Sequence, residues 1–230
     1  MANDSLRVLA HAKINWALNV CARREDGYHI LDMLVQRIDL HDVLQFSPAK
    51  TLQLEVAGSP AGLQQEDNLV MRAARALKQA TGHPGGAIMQ LQKHIPEKAG
   101  LGGGSADAAA ALMGLNRLWS TRLSITELQD IGLPLGADIP LCLCPGLMRV
   151  KGIGEEVARI PQAPAYPLLI LQSGHGLSTA EVFRRHDLQP DAVPARLDLA
   201  TDALLQQDVE GIRAYCKNQL QPTAASMMAD

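Results

Sequence analysis

The sequence has few aromatic residues, few cysteines and no long apolar run. Phe, Trp and Tyr make up only 3% of the 230 residues, so the core has to be built from aliphatic side chains and methionine. The four cysteines form no C-x-x-C pair, which predicts reduced thiols; they are Cys21, Cys142, Cys144 and Cys216. No stretch reaches the roughly 18 uninterrupted apolar residues of a membrane-spanning helix, and the first residues do not resemble a signal peptide. We therefore expect a cytoplasmic protein with no membrane partner.

The charge is nearly balanced. The formal net charge at pH 7 is −3, so the chain has no broad basic surface that would hold a nucleic-acid backbone. Hydrophobic residues make up 47% of the chain, which is enough to form one large domain or two small ones. The composition therefore predicts a globular protein whose partner is a small molecule and not a nucleic acid.

Alternating apolar and polar residues predict strands along much of the chain. The segments are LRVLAHAKINWALNV (one or two strands ending near Cys21), HDVLQFS, TLQLEVAG, AIMQLQKHIP, GIGEEVARIP and PLLILQSG. Residues 23–27 predict a turn, and the glycines at 58 and 62 predict a break before the first helix.

Helices are predicted between and after these strands. DNLVMRAARALKQATG is predicted to be helical, with Asp67 as its N-cap and Gly82 as its stop. STAEVFRRH has the pattern of a capping box from Ser178 to Glu181. After a polar linker from about Leu188, LATDALLQQDVEGIRAYCKNQL predicts one further helical stretch.

A glycine-rich segment, GLGGGSAD, lies between a predicted strand and an alanine-rich helix that starts at Ser105. Its glycines remove the side chains that would keep a phosphate away from the backbone N–H groups. The free N–H groups and the dipole at a helix start favour an anion. The segment matches neither G-x-x-x-x-G-K-[ST] nor G-x-G-x-x-G. From the residues alone, a polyphosphate site and a flexible turn both remain open.

Two charged residues stand out elsewhere. Lys13 lies in a mostly apolar strand, where an ammonium is costly to bury without a partner. Asp138 lies in the turn GADIP, which precedes an apolar run. Phosphoryl transfer to an alcohol uses a carboxylate to accept the proton and cations to offset phosphoryl charge. A surface lysine and a turn aspartate are the alternative interpretations.

Taken together, three segments resemble a known kinase superfamily. PEKAGLGGGSADAAAAL is similar to P-x-x-x-G-L-G-S/G-S/G-A/S, the second motif of the galactokinase/homoserine kinase/mevalonate kinase superfamily, and AKIN and GADIP resemble its catalytic segments. The resemblance implies an α+β fold of two lobes. Residues 1–155 would form an ATP-binding lobe similar to ribosomal protein S5, and residues 156–230 a ferredoxin-like lobe. ATP and Mg²⁺ are the implied cofactors, in a monomer or a homodimer.

The resemblance also implies roles for individual residues. The phosphate contacts would come from Pro96, Glu97, Lys98, Ala99, Gly100, Leu101, Gly102, Gly103, Gly104, Ser105 and Ala106. Ser105 would contact phosphate or a Mg²⁺-bound water. Asp138 would deprotonate the acceptor hydroxyl, Lys13 would orient that hydroxyl and stabilise developing charge, and Asn15 would line the acceptor site.

The segment REDGYHIL resembles the branch of the superfamily that acts on diphosphocytidyl-methylerythritol in non-mevalonate isoprenoid biosynthesis. In that branch the transferred phosphate goes to the 2-hydroxyl. Tyr28 would stack on the cytosine ring and His29 would hydrogen-bond its edge. An acceptor such as homoserine or mevalonate is the alternative within the superfamily.

The superfamily's third glycine motif, M-x-G-S-G-x-x-x-F, has no counterpart here, since the last glycine is Gly211. We therefore expect a shortened second lobe with an unpaired sheet edge. A catalytically silent nucleotide-binding protein is the alternative from another functional class.

Overall fold

The computed structural model describes residues 6–57, 67–172, 176–188 and 193–229. The chain divides into two compact units, each made of several chain segments. The first comprises Met1–Lys13, Ile38–Pro96 and Gly102–Cys144, and the second comprises Ile14–Arg37, Glu97–Leu101 and Pro145–Asp230. The boundary at residues 155 and 156 stays a prediction, as does the break at residues 58–62, which lies outside the described residues.

Strands and helices are both well represented. The strands are β1 (Leu6–Arg23), β2 (His29–Ala49), β3 (Leu52–Val56), β4 (Gly86–Gln92), β5 (Leu147–Gly152) and β6 (Glu156–Ile160). The helices are α1 (Leu69–Thr81), α2 (Gly103–Leu118), α3 (Ile125–Gly132), α4 (Ile139–Cys142), α5 (Thr179–His186), α6 (Leu197–Gln206), α7 (Val209–Tyr215) and α8 (Gln221–Ala229). β1 and β2 contribute residues to both units. The arrangement confirms the predicted mixture of sheet and helix.

In the first unit, β4 is paired on both sides. It runs antiparallel to the second half of β2 and parallel to β3, and α1 provides the crossover that a parallel pair requires. The alanine-rich α2 packs closely on this sheet, because a Cβ at Gly114 would come within 2.4 Å of the Phe46 ring. Small residues thus let the helix backbone come close to the sheet. This close packing fills core space that aromatic side chains would otherwise occupy.

In the second unit, the first half of β2 runs antiparallel to β5, and β5 runs antiparallel to β6. Its core is aliphatic and comprises Ala17, Leu34, Leu147, Ala195, Leu197, Ala200 and Leu204. Backbone hydrogen bonds join β1 to the chain before α8. The Leu18 N–H donates to the Lys217 carbonyl at 2.9 Å, and the Gln219 N–H donates to the Leu18 carbonyl at 3.0 Å.

The predicted N-cap of α1 is wrong by one residue. The Oδ1 atom of Asn68, and not Asp67, accepts a hydrogen bond from the Val70 N–H at 2.9 Å. Both residues suit an N-cap, so only the backbone conformation decides between them. Gly82 does end α1, in the left-handed conformation with φ of 65°.

The predicted capping box of α5 is also wrong. Ser178 occupies the N-cap position without a side-chain hydrogen bond. Glu181 instead accepts hydrogen bonds from the guanidinium groups of Arg184 and Arg185, at 2.6 and 3.1 Å. Charge-assisted bonds to two cations outcompete a bond to a neutral backbone N–H.

The last predicted helical stretch is two helices, α6 and α7. Gln207 adopts the left-handed conformation with φ of 57° and ends α6. Asp208 then takes the N-cap position of α7. A Cβ at Gly211 would lie 2.8 Å from Cβ of Ala203, so the two helices meet at a glycine. This close contact between α6 and α7 requires a turn between them, and the periodicity of apolar residues in the sequence does not indicate that turn. The structure also adds α8, which the sequence did not predict.

The predicted strand PLLILQSG is not a strand over its described part, residues 167–172. Leu169 and Leu171 are each 85% exposed. An alternating segment becomes a strand only by pairing, and it pairs with no strand of the described part of the chain. Among the described residues, no helix is both long and apolar enough to cross a membrane.

Candidate functional site

The glycine-rich segment forms the start of α2. Gly100 and Gly102 have φ of 73° and 71°, in the left-handed region that favours glycine. α2 begins at Gly103, two residues before the predicted start at Ser105, because Gly102 is its N-cap and accepts a hydrogen bond from the Ala106 N–H at 2.8 Å. The first N–H groups of a helix lack an intrahelical acceptor. They and the helix dipole make this a suitable position for an anion.

Lys13 lies against this segment. A Cβ at Gly102 would come within 3.0 Å of Cγ and 3.1 Å of Cε of Lys13. The Lys13 side chain is 10% exposed, and its Nζ lies 3.4 Å from Oδ2 of Asp138. Three predicted site residues, far apart in sequence, therefore meet within the first unit.

The carboxylate of Asp138 remains accessible. Asp138 precedes α4 but does not cap it with its side chain, which is 37% exposed. Gly136 and Ile139 form the turn around it, through a hydrogen bond of 3.0 Å from the Ile139 N–H to the Gly136 carbonyl. An accessible carboxylate with one cationic neighbour can accept a proton from a bound hydroxyl.

A second lysine, which sequence reasoning missed, also lies near the glycines. Nζ of Lys93 would be 3.5 Å from a Cβ at Gly103. It donates hydrogen bonds to Oδ2 of Asp42 at 2.5 Å and to Oδ2 of Asp107 at 2.7 Å. Asp42 also accepts hydrogen bonds from the backbone N–H groups of the next two residues after Lys93, through its other oxygen. We call Lys93, Asp42 and Asp107 the Lys93 cluster.

The pKa values of the two carboxyl groups of the Lys93 cluster are shifted in opposite directions. Burial raises the pKa of Asp107 to about 7, against the opposing effect of the Lys93 ammonium. Burial also acts to raise the pKa of Asp42, but hydrogen bonds from Lys93 and two backbone N–H groups outweigh it and lower the pKa. For Lys93, burial acts to lower the pKa, and the two carboxylates outweigh it and raise the pKa.

The predicted base-binding residues Tyr28 and His29 lie in the second unit. Tyr28 follows a turn in which its N–H donates to Oδ1 of Asp26 at 3.2 Å and its carbonyl accepts from the Arg24 N–H at 2.7 Å. Gly27 in this turn has φ of 88°, which favours glycine. The Tyr28 side chain is 57% exposed, so its aromatic face is available for stacking.

His29 is held by two residues of the α5 region that the sequence did not indicate. Its Nε2 lies 2.7 Å from Oδ1 of Asp187, and its ring stacks on that of Phe183, with centroids 4.6 Å apart and planes 19° apart. Phe183 and Asp187 are four residues apart, which places them on one side of the helix end. A separation of more than 150 residues from His29 gives the sequence no local signal for this contact.

The remaining predicted residues also have definite places. Oδ1 of Asn15, in the second unit, is buried and has no hydrogen-bond partner among the described residues. An amide oxygen in this condition is ready to accept a hydrogen bond from a ligand. Pro96 belongs to the first unit, and Glu97 to Leu101 belong to the second. The described residues contain no group of three or more His, Cys, Asp or Glu that could hold a metal ion.

Comparison with known proteins identifies related kinases. The model of the GHMP kinases N terminal domain matches residues 68–146. The 4-diphosphocytidyl-2-C-methyl-D-erythritol kinase of Pelotomaculum thermopropionicum is 40% identical over 228 residues, which cover 96% of this chain and 78% of the relative. The kinase of the same name from Paramagnetospirillum magneticum is 45% identical over 181 residues, which cover 78% of this chain and 64% of the relative.

Solved structures of related kinases are also similar to this chain. A crystal structure of 4-(cytidine 5'-diphospho)-2C-methyl-D-erythritol kinase matches with a TM-score of 0.74 and 31% identity, over 96% of this chain and 78% of the other. Homoserine kinase from Cytophaga hutchinsonii matches with a TM-score of 0.61 and 16% identity, over 95% of this chain and 73% of the other, which shows a shared fold alone. These matches confirm the predicted small-molecule kinase fold. By its identity to these relatives and the length over which it extends, the chain belongs to the 4-diphosphocytidyl-2-C-methyl-D-erythritol kinase family.

Proposed function

We propose that the chain catalyses ATP-dependent phosphorylation of the 2-hydroxyl of 4-diphosphocytidyl-2-C-methyl-D-erythritol, a step in non-mevalonate isoprenoid biosynthesis. The observation that supports this most strongly is the approach of Lys13 to both Asp138 and Gly102. It combines a carboxylate, an ammonium and a glycine-lined helix start, which phosphoryl transfer to an alcohol requires.

The glycine segment is proposed to hold the ATP phosphates. The residues are Pro96 to Ala106, as the resemblance implies. Support comes from the left-handed Gly100 and Gly102 and from the free N–H groups at the start of α2. The ammonium of Lys93 lies near Gly103, but Asp42 and Asp107 neutralise it, so it adds no net positive charge to this helix start. Any side chain at Gly102 or Gly103 would fill this space.

In the proposed reaction, Asp138 accepts the proton of the acceptor hydroxyl as that oxygen attacks the γ-phosphorus of ATP. The bond between the γ-phosphorus and the bridging oxygen breaks, and ADP leaves. Lys13, beside Asp138, orients that hydroxyl and offsets the negative charge that develops on the transferring group. Its low exposure strengthens this effect, because a charge acts more strongly where water is excluded.

Recognition of the cytidyl group is proposed to lie with Tyr28 and His29. The exposed ring of Tyr28 offers an aromatic face, and the imidazole of His29 offers a hydrogen-bonding edge. Asn15, whose buried amide oxygen has no partner in the described part of the chain, is proposed to hold the acceptor end of the substrate.

Mg²⁺ fits this site as an ion carried by the nucleotide, because magnesium is commonly bound through substrate phosphates and water. Ser105, in the first turn of α2, would contact phosphate or a water of the ion. When bound, the ion would offset phosphate charge. We further propose a cytoplasmic location and a monomeric or homodimeric state.

The test is ADP release by the purified chain with ATP, Mg²⁺ and 4-diphosphocytidyl-2-C-methyl-D-erythritol. Asp138→Asn is the inactive control, and Asp130→Asn, at an exposed aspartate of α3 in the same unit, is the matched active control. Turnover in the wild type and in Asp130→Asn, but not in Asp138→Asn, supports the proposal.

Two other results would contradict it. Turnover with homoserine or mevalonate in place of the cytidyl substrate would identify a different acceptor. ATP binding without turnover on any of the three alcohols would identify a silent nucleotide-binding protein. The second result is the alternative that the sequence leaves open, since it contains no third glycine motif. The chain spans 78% and 64% of the length of the two curated relatives described above.

A further inference from the structure

The imidazole of His29 is fixed in two independent ways. Stacking on Phe183 sets the plane of the ring, and the contact between Nε2 and Asp187 sets its rotation within that plane. The His29 side chain is only 10% exposed. The ring therefore presents one defined nitrogen, Nδ1, to any ligand that reaches it.

Asp187 also determines which nitrogen carries the hydrogen. A carboxylate only accepts hydrogen bonds, so Nε2 must donate to Oδ1 of Asp187. A neutral imidazole has a single N–H, so Nδ1 is left as an acceptor. The guanidinium of Arg23 lies 3.4 Å from the second oxygen of Asp187.

An acceptor at Nδ1 distinguishes two pyrimidines. Cytosine carries an amine donor on the ring carbon where uracil carries a carbonyl acceptor. The amine of cytosine can donate a hydrogen bond to Nδ1. The carbonyl oxygen of uracil is itself an acceptor, so its lone pairs and that of Nδ1 would repel each other. The discrimination depends on the tautomer, since a ring with hydrogen on Nδ1 would favour the carbonyl instead.

We propose that Asp187 is a specificity-determining residue, which holds His29 in the tautomer that accepts a hydrogen bond from the cytosine amine and rejects uracil. The inference rests on the proposed function, in which His29 meets the base. It assigns Asp187 no contact with substrate, and the residue acts through His29 alone.

The experiment compares CDP and UDP binding by calorimetry, with excess ADP present to occupy the ATP site. The wild type should bind CDP about 10- to 100-fold more tightly than UDP. Asp187→Ala should lower this ratio to about threefold or less, because Nδ1 and Nε2 can then exchange the hydrogen. Asp187→Asn is isosteric, but its amide can flip and donate, so it should give an intermediate ratio.

Asp202→Ala, at an exposed aspartate of α6, is the matched control and should keep the wild-type ratio. A merely structural role of Asp187 would lower both affinities and leave the ratio unchanged. An unchanged ratio in both Asp187 variants would therefore overturn the inference while leaving the proposed function intact. Because the asparagine variant preserves shape, this holds even if the alanine variant is unstable.

Equal binding of CDP and UDP by the wild type would instead overturn the base contact in the proposed function, and the inference with it.

Discussion

The first unit contains two lysines that pair with aspartates near the same glycines, and the two pairings differ in tightness. Lys13 and Asp138 are 3.4 Å apart, and the Asp138 side chain is 37% exposed. In the Lys93 cluster the lysine lies 2.5 and 2.7 Å from two carboxylates whose side chains are at most 5% exposed. One site leaves a carboxylate accessible, and the other is enclosed, with Oδ1 of Asp107 buried and without a hydrogen-bond partner among the described residues.

This difference separates a site suited to catalysis, at Asp138, from a cluster that stabilises the fold, around Lys93. A base must be able to take a proton from a ligand, so its carboxylate cannot be saturated by internal hydrogen bonds. Both oxygens of Asp42, in contrast, accept hydrogen bonds, one from Lys93 and two from backbone N–H groups just after β4. We therefore expect changes at Asp138 to affect turnover and changes at Asp42 to affect stability.

The largest effect on turnover is expected from Asp138→Asn. Removing the base should lower kcat by about 10²- to 10⁴-fold. The affinity for ATP and the free energy of unfolding should change little, because the glycine segment remains in place. ADP release, ATP titration and denaturant unfolding measure the three quantities. An equal loss of ATP affinity would contradict the role of Asp138 as base.

The corresponding change in the Lys93 cluster is Asp42→Ala. It should lower the free energy of unfolding by about 1–3 kcal/mol, because two backbone N–H groups lose their acceptor and Lys93 keeps only Asp107. Urea unfolding of the wild type and the variant gives this difference. A variant as stable as the wild type would show that the two clusters do not differ as described.

A smaller effect is expected from Gly102→Ala, compared with Gly100→Ala. Both glycines are left-handed, so either change should cost about 1–2 kcal/mol in backbone strain. Only at Gly102 would the new methyl group crowd Lys13, since no atom of the described residues lies within 4 Å of a Cβ at Gly100. Gly102→Ala should therefore lower kcat by up to about 10²-fold more than its control. Equal kcat values would show that the position of Lys13 is not critical.

The smallest effect is expected from Asp107→Asn, and it depends on pH. The pKa of Asp107 is raised to about 7 by burial, so the folded state binds this proton more tightly than the unfolded state. The contribution of Asp107 is most favourable below the unfolded pKa and declines as the pH rises through about 7. Relative to the wild type, Asp107→Asn should be more stable at pH 8 than at pH 5.5, as measured by urea unfolding. A pH-independent difference would contradict the raised pKa.

The sequence predicted the candidate site in part. The glycine segment, Lys13 and Asp138 lie in short motifs, and β1 and the α1 stop at Gly82 follow from local patterns. The Lys93 cluster had a weak signal, because Asp107 interrupts an otherwise apolar helix start, SADAAAAL. Its partner Asp42 lies 51 residues from Lys93, and no local pattern relates them. Phe183 and Asp187 were missed for the same reason.

What the sequence determined by itself is therefore short-range: the left-handed glycines, the alanine-rich helix and the motif residues that identify the family. These follow from steric limits and periodicities that act over a few residues. Tertiary structure alone decided that Lys13 meets Asp138, that Asp42 holds Lys93 and that Asp187 holds His29. These pairings depend on which distant segments are packed together, because a buried charge is stable only where folding brings it a partner.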